Sequence, residues 1–157
     1  MKRLLLAMLT SGAVLLLSPA FASQAMAATT TSVSMTLVEA VVPDTNSGCF
    51  VPEHRLCGQG QVIPYGQATE TIVFGGICDL RTITLAGGSI TLEETLSNVI
   101  CRGACQPNPS FPFSGTLTDV VAGGTGQFSG ASGNLSGSVT TAGKVAVIKL
   151  SGAITLP

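Results

Sequence analysis

Beyond residue 31 the chain alternates between apolar and polar positions. In "SVSMTLVEAVV" (32–42), Val33, Met35 and Leu37 fall on one side, with Ser32, Ser34 and Thr36 on the other. That is the period of a strand with one buried and one wet face. "ATETIVFGG" (68–76) repeats it, setting Glu70, Ile72 and Phe74 against Thr69, Thr71 and Val73. "RTITLAGGSITLEE" (81–94) contains two such runs about Gly87-Gly88 and predicts a hairpin of strands near 80–86 and 89–96. "SGTLTDVVA" (114–122) supplies another strand, and "GNLSGSVT" with "KVAVIKLSGAITL" a final pair turning at Thr141-Ala142-Gly143. In the last run Ala146, Ile148, Leu150, Ile154 and Leu156 share a face. No segment past residue 27 keeps a helical period, so the domain is predicted to be all-β.

A short motif recurs as "FSGTLT" (113–118), "LSGSVT" (135–140) and "LSGAIT" (150–155). In each copy the glycine shares a face with apolar neighbours, as Gly137 does with Leu135 and Val139. A glycine there removes a side chain where a strongly curved sheet would be crowded. Three such positions predict a sheet that coils around its own interior, as a small barrel or a tightly wrapped sandwich. The stretches from Pro43 to Gly60 and from Ser97 to Pro112 break the alternation and read as long loops.

The segment "GGTGQFSGASGNLSG" (123–137) is the richest in glycine. A dinucleotide fingerprint would need glycine where Ser129 stands, and a phosphate-binding P-loop would need a lysine that the segment lacks. The spacing instead predicts a reversal at Gly123–Gly126, then a bent strand in which Gly124, Gly126, Gly130 and Gly133 are structural and Phe128 is buried. "GGTGQFSGASG" resembles the GGTGxFxGAxG signature of the dirigent and allene oxide cyclase barrels, and segments of bacterial secreted proteins with the same pattern. The resemblance implies an antiparallel barrel of about eight strands around an apolar cavity, often oligomeric. The cysteine-bearing loops fall outside that signature, and no family acid aligns with a particular residue here.

The chain opens with Met1-Lys2-Arg3, runs apolar from Leu4 to Leu17 and then offers Ala20-Phe21-Ala22 and Ala25-Met26-Ala27. This order predicts a secretory signal peptide over 1–27, cleaved after Ala27, and a single domain over 28–157 in a secreted or periplasmic setting. The apolar run is shorter than the about 20 residues a spanning helix needs. Losing Lys2 and Arg3 with the leader leaves acids in excess of bases, with no basic stripe for nucleic acid. Charged residues make up 10% of the chain, against about 25% in an average globular protein, so hydroxyls must keep the surface wet. An outer-membrane barrel would need aromatic girdles, and this chain has no Trp and one Tyr.

Export favours disulfides among Cys49, Cys57, Cys78, Cys101 and Cys105. The spacings within this set, with His54, fit no common zinc knuckle, so neither metal nor cofactor is expected. Two strands separate Cys78 from Cys101, which puts Cys78, Cys101 and Cys105 at one end. A Cys49–Cys57 bridge and one bridge within the other set, Cys101–Cys105 first, follow from this reading. A link between the two sets would contradict it.

Glu93 and Glu94 face opposite sides, whereas Glu70 and Glu94 each share a face with apolar residues. Inside a barrel either would have its pKa raised and could serve as acid or base; at the rim, the favoured reading, each stays solvated. Glu70, Phe74, Glu94 and Phe128 are the candidate ligand-contacting residues. Three functions remain: a non-catalytic barrel binding a small apolar molecule or a partner, a structural module with a filled interior, and a cofactor-free isomerase of allene oxide cyclase type. The first is preferred.

Overall fold

The computed structural model describes residues 27–40, 55–74, 79–101, 112–142 and 145–157. Eight strands follow one another around a closed barrel: β1 (Thr29–Ala40), β2 (Arg55–Ile63), β3 (Gly66–Val73), β4 (Asp79–Leu85), β5 (Gly88–Cys101), β6 (Phe113–Gly124), β7 (Ser132–Ala142) and β8 (Val145–Leu156). Every neighbouring pair is antiparallel, and β8 closes the wall on β1 over a register running from Thr29↔Leu156 to Ala40↔Val145. The all-β class expected from the alternation is therefore the fold, closed as the antiparallel barrel that the recurring glycines and the resemblance pointed to and not as a sandwich. Closure leaves no sheet edge unpaired.

The interior follows the parity read from the sequence. Val33, Met35 and Leu37 of β1, Ile83 and Leu85 of β4, Ile90 and Leu92 of β5, and Ile148, Leu150 and Ile154 of β8 are all buried. Each such side chain contributes about 1.5–3 kcal/mol when withdrawn from water. Outward positions such as Ser34, Thr36, Thr118, Ser136, Ser138 and Lys149 are exposed. The recurring glycines sit where predicted: a Cβ on Gly137 would overlap the Lys149 carbonyl, and one on Gly152 the Asn134 carbonyl.

The strand β2 corrects the sequence reading, which placed Pro43–Gly60 in a loop. In "RLCGQGQVI" the inward positions 58 and 60 are glycine, so the apolar alternation that marks a strand is erased. Their bareness is required by the packing, since a Cβ on Gly60 would overlap the Thr36 carbonyl. Likewise β5 runs on to Cys101, five residues beyond its expected end. It does so through an irregularity between Ser97 and Ile100, with Asn98 at φ 50°.

The extra strand reverses the direction of the chain. The connections β1–β2, β3–β4, β5–β6 and β7–β8 all leave one end of the barrel, and β2–β3, β4–β5 and β6–β7 the other. Cys57 and Cys101 thus lie at the same end, so the expected segregation of the two cysteine sets to opposite ends does not hold. Both are disulfide-bonded. Cys49, Cys78, Cys105, His54 and the signal-peptide expectation up to Met26 fall outside the described residues.

The glycine-rich segment closes the β6–β7 end. After β6 the chain makes one turn of 3-10 helix, Gly126–Phe128, an element the sequence reading did not foresee. Gly126 (φ 59°) and Gly130 (φ 74°) adopt left-handed conformations that a side chain disfavours. Gly124 serves close approach instead, to the Ser89 carbonyl, and Gly133 (φ 147°) combines a positive φ with close approach to the Ala153 carbonyl. Thr125 N–H donates to Ser89 O at 2.8 Å and Gln127 N–H to Gly87 O at 2.9 Å, pinning the turn to the β4–β5 hairpin. Phe128 is completely buried there and meets Tyr65 edge to face, ring centroids 5.0 Å apart.

Candidate functional site

Toward the opposite end the apolar lining gives way to charge. Inward parity carries Glu39 of β1, Glu70 of β3, Arg81 of β4, Glu94 of β5 and Asp119 of β6 into the interior, each at most 5% exposed. Glu70 and Glu94 are therefore not solvated rim residues, as favoured from the sequence. The wall closes over both, and each has its carboxyl on the guanidinium of Arg81.

Arg81 sits at the centre. Its Nε donates to Glu94 Oε2 at 2.8 Å, and its Nη2 lies 2.7 Å from the same oxygen. Its Nη1 donates to both Glu39 Oε1 and Glu70 Oε2. Strands on either side of β4 are thereby gathered onto one planar fork, the geometry for which guanidinium is suited and ammonium is not. Gly58 makes room for this arrangement. It pairs with Glu39 on one side and Glu70 on the other, and a Cβ there would overlap Glu70 Oε1.

Donors run short in this layer. Glu70 Oε1 and both oxygens of Asp119 are buried without a hydrogen-bond partner. Four carboxyl groups face one guanidinium, so full ionisation would leave a large uncompensated negative charge in a dry interior. Protons are the natural relief. Burial pushes Glu70 up to about 7 against the pull of Arg81, with Glu39 adding to the rise. Asp119 is also pushed up to about 7, by burial first and then by the charge of Glu94, its cross-strand neighbour. A proton on Asp119 supplies a hydrogen bond to Glu94. Glu94 itself is raised, by burial first, against the pull of Arg81. For Arg81 burial disfavours the charge, but the three glutamates outweigh it and hold the guanidinium protonated.

Apolar side chains frame this end. Phe74, just past β3, is 45% exposed, and Leu96 is 41% exposed two positions beyond Glu94 on the inward parity of β5. Phe113 packs on the core from β6, its N–H donating to Thr141 Oγ1 at 2.7 Å. Of the predicted ligand-contacting residues, then, Glu70, Glu94 and Phe74 gather at one end. Phe128 does not; it seals the other.

Glu39, Arg81 and Asp119 escaped the sequence reading, although the signal was present. Each falls on the apolar side of its own strand: Glu39 after Leu37, Arg81 before Ile83, Asp119 between Leu117 and Val121. Among the described residues, no group of three His, Cys, Asp or Glu side chains is arranged to hold a metal ion.

No protein-family model matches the chain, and no solved structure matches it. The chain is 33% identical over 103 residues to AT-hook motif nuclear-localized protein 23 of Arabidopsis thaliana, across 66% of this chain and 33% of that protein. It spans about one third of that relative's length, and the likeness assigns it neither a family nor an activity.

Proposed function

We propose that this chain is an exported barrel that binds a small, largely apolar molecule without transforming it, the polar end of the ligand seated on the Arg81 cluster. One observation carries the reading: five ionisable side chains are buried together with three of their oxygens left unpartnered. Stability alone does not favour such an arrangement, because aliphatic side chains of similar volume would serve a structural barrel as well or better. Costly buried charge with shifted titration gathers at functional sites. The apolar frame of Phe74, Leu96 and Phe113 suits the body of such a ligand. The resemblance of Gly123–Gly133 to dirigent and allene oxide cyclase barrels supports the same reading, since those enclose an apolar cavity.

A second reading draws on the titration of Glu70 and Asp119, both near 7. Carboxyl groups poised there can give and take protons at neutral pH, as a cofactor-free isomerase requires. Binding is common to both readings.

Native mass spectrometry of the disulfide-intact protein recovered from the medium or periplasm tests the proposal. The expected result is a chain beginning at Ala28 that carries a small-molecule adduct, with the same spectrum reporting any homo-oligomer. The adduct should be lost in Glu94→Leu that still folds. A ligand-free chain that also fails to enhance Nile red fluorescence would overturn the binding reading. An intact Met1 in the exported protein would overturn the leader.

A further inference from the structure

We infer that the ligand meets the buried acids with a positively charged hydrogen-bond donor, a primary or secondary ammonium on an apolar body. This rests on the binding reading above and concerns the same site.

Donors and acceptors in this layer do not balance. Arg81 directs its Nε and Nη1 hydrogens and one Nη2 edge at Glu94, Glu39 and Glu70. That leaves Glu70 Oε1 and both Asp119 oxygens buried with no donor from another residue, and only a proton carried by Asp119 itself links it to Glu94. Among the described side chains, the remaining walls turn no further cation toward this layer. Gly58 faces this layer from β2, Thr141 from β7 and Ala146 from β8, while Asp79, at the start of β4, adds another acid whose charge is felt at Glu94. Among the described residues facing the cluster, the acids Glu39, Glu70, Glu94 and Asp119 share the one guanidinium of Arg81.

An ammonium group brings up to three N–H donors and no acceptor, which matches the shortfall in number and sign. A carboxylate or phosphate would add acceptors and negative charge to a layer that already has both in surplus. A neutral alcohol supplies a single donor and no charge. In the unliganded barrel protons fill the role, so a cation that enters must displace them. Its affinity therefore rises with pH through the range in which Glu70 and Asp119 titrate, about 7. An alkylammonium stays charged throughout, its own pKa lying near 10.

Calorimetric titration of the disulfide-intact protein with octylamine, 1-octanol and octanoate at pH 6 and pH 8 tests this. Octylamine should bind tightest. Its affinity should rise about tenfold between the two pH values for each carboxyl that surrenders a proton near pH 7, with proton release seen as a buffer-dependent heat. Asp119→Asn should lose the share of that rise that Asp119 supplies, keep the share of Glu70, and favour octylamine less while still binding 1-octanol; the wild-type pH profile carries the test should the variant not fold. Octanol or octanoate binding as tightly as octylamine, or a pH-independent octylamine affinity, overturns the inference and leaves the binding reading standing. Failure of all three to bind overturns the binding reading, and the inference with it.

Discussion

Arg81 holds Glu94 through two nitrogens on one oxygen, Nε at 2.8 Å and Nη2 at 2.7 Å from Oε2, where both residues are all but sealed from water. Removing one partner of such a pair strands the other, which costs about 3–5 kcal/mol when burial is this complete. Arg81→Met should lower stability by that order in a chemical denaturation series, with the loss greatest at alkaline pH, where the abandoned carboxyls cannot retain protons. Arg81→Lys should recover little, since an ammonium cannot fork onto Glu39, Glu70 and Glu94 together. Arg81→Met with Glu94→Met should be less damaging than Arg81→Met alone, because it removes one of the stranded charges.

The same cluster fixes the sign of the pH dependence. Glu70 and Asp119 titrate near 7 in the folded barrel, above the ordinary carboxyl range they regain on unfolding. The folded state therefore binds more protons than the unfolded one between roughly pH 4 and 7. Stability from these groups is fully present below that range and is lost as pH rises through about 7. Melting temperature should fall between pH 5 and pH 8 and then level off, the unfolding free energy dropping by up to ~1.4 kcal/mol per pH unit for each carboxyl. Asp119→Asn should flatten the curve and raise the pH 8 value. A melting temperature that climbs from pH 5 to pH 8 would contradict the protonated cluster.

At the other end, Phe128→Ala should cost about 3–5 kcal/mol through the cavity left beside Tyr65. Gly126→Ala and Gly130→Ala should each cost on the order of 1 kcal/mol or more, from the left-handed backbone alone. Gly126 should be the more sensitive. Its added Cβ would overlap the Gly87 carbonyl, whereas at Gly130 the nearest atom is the side-chain Cγ of Pro157, 3.0 Å away. Equal, unchanged midpoints for both alanine variants would show that the segment is not a fixed closure.

Non-reducing peptide mapping should find two intramolecular bridges, one containing Cys57 and one containing Cys101, with a single free thiol. Cys49–Cys57 closes seven intervening residues and loses little loop entropy, and Cys101–Cys105 is the shortest alternative for the second. Because β2 brings Cys57 and Cys101 to the same end, a bridge between their two sets would no longer contradict the meander. Stabilisation by each short loop should lie near the lower end of the usual 2–4 kcal/mol.

Period-two alternation determined most of this architecture by itself. It named the strands, their inward faces and, through glycines on the apolar side of "LSGSVT" and "LSGAIT", the tight curvature of the wall. Those features are local: a strand's two faces are set by its own backbone, whatever it packs against. The strand β2 was invisible for a non-local reason, since Gly58 and Gly60 are bare only because β1 and β3 crowd them.

The candidate site divides in the same way. Parity alone turned Glu70 and Glu94 toward the apolar side, and the same parity placed Glu39, Arg81 and Asp119 there. Whether that side was water at a rim or the dry interior depended on closure of β8 onto β1, which no single strand encodes. Convergence on Arg81 depended further on the stagger that aligns residues 42 and 13 positions away from it. Only once the wall is closed do five ordinary surface-type residues share one low-dielectric space, and only there must protons, or a cation, make up the charge that a single guanidinium cannot balance.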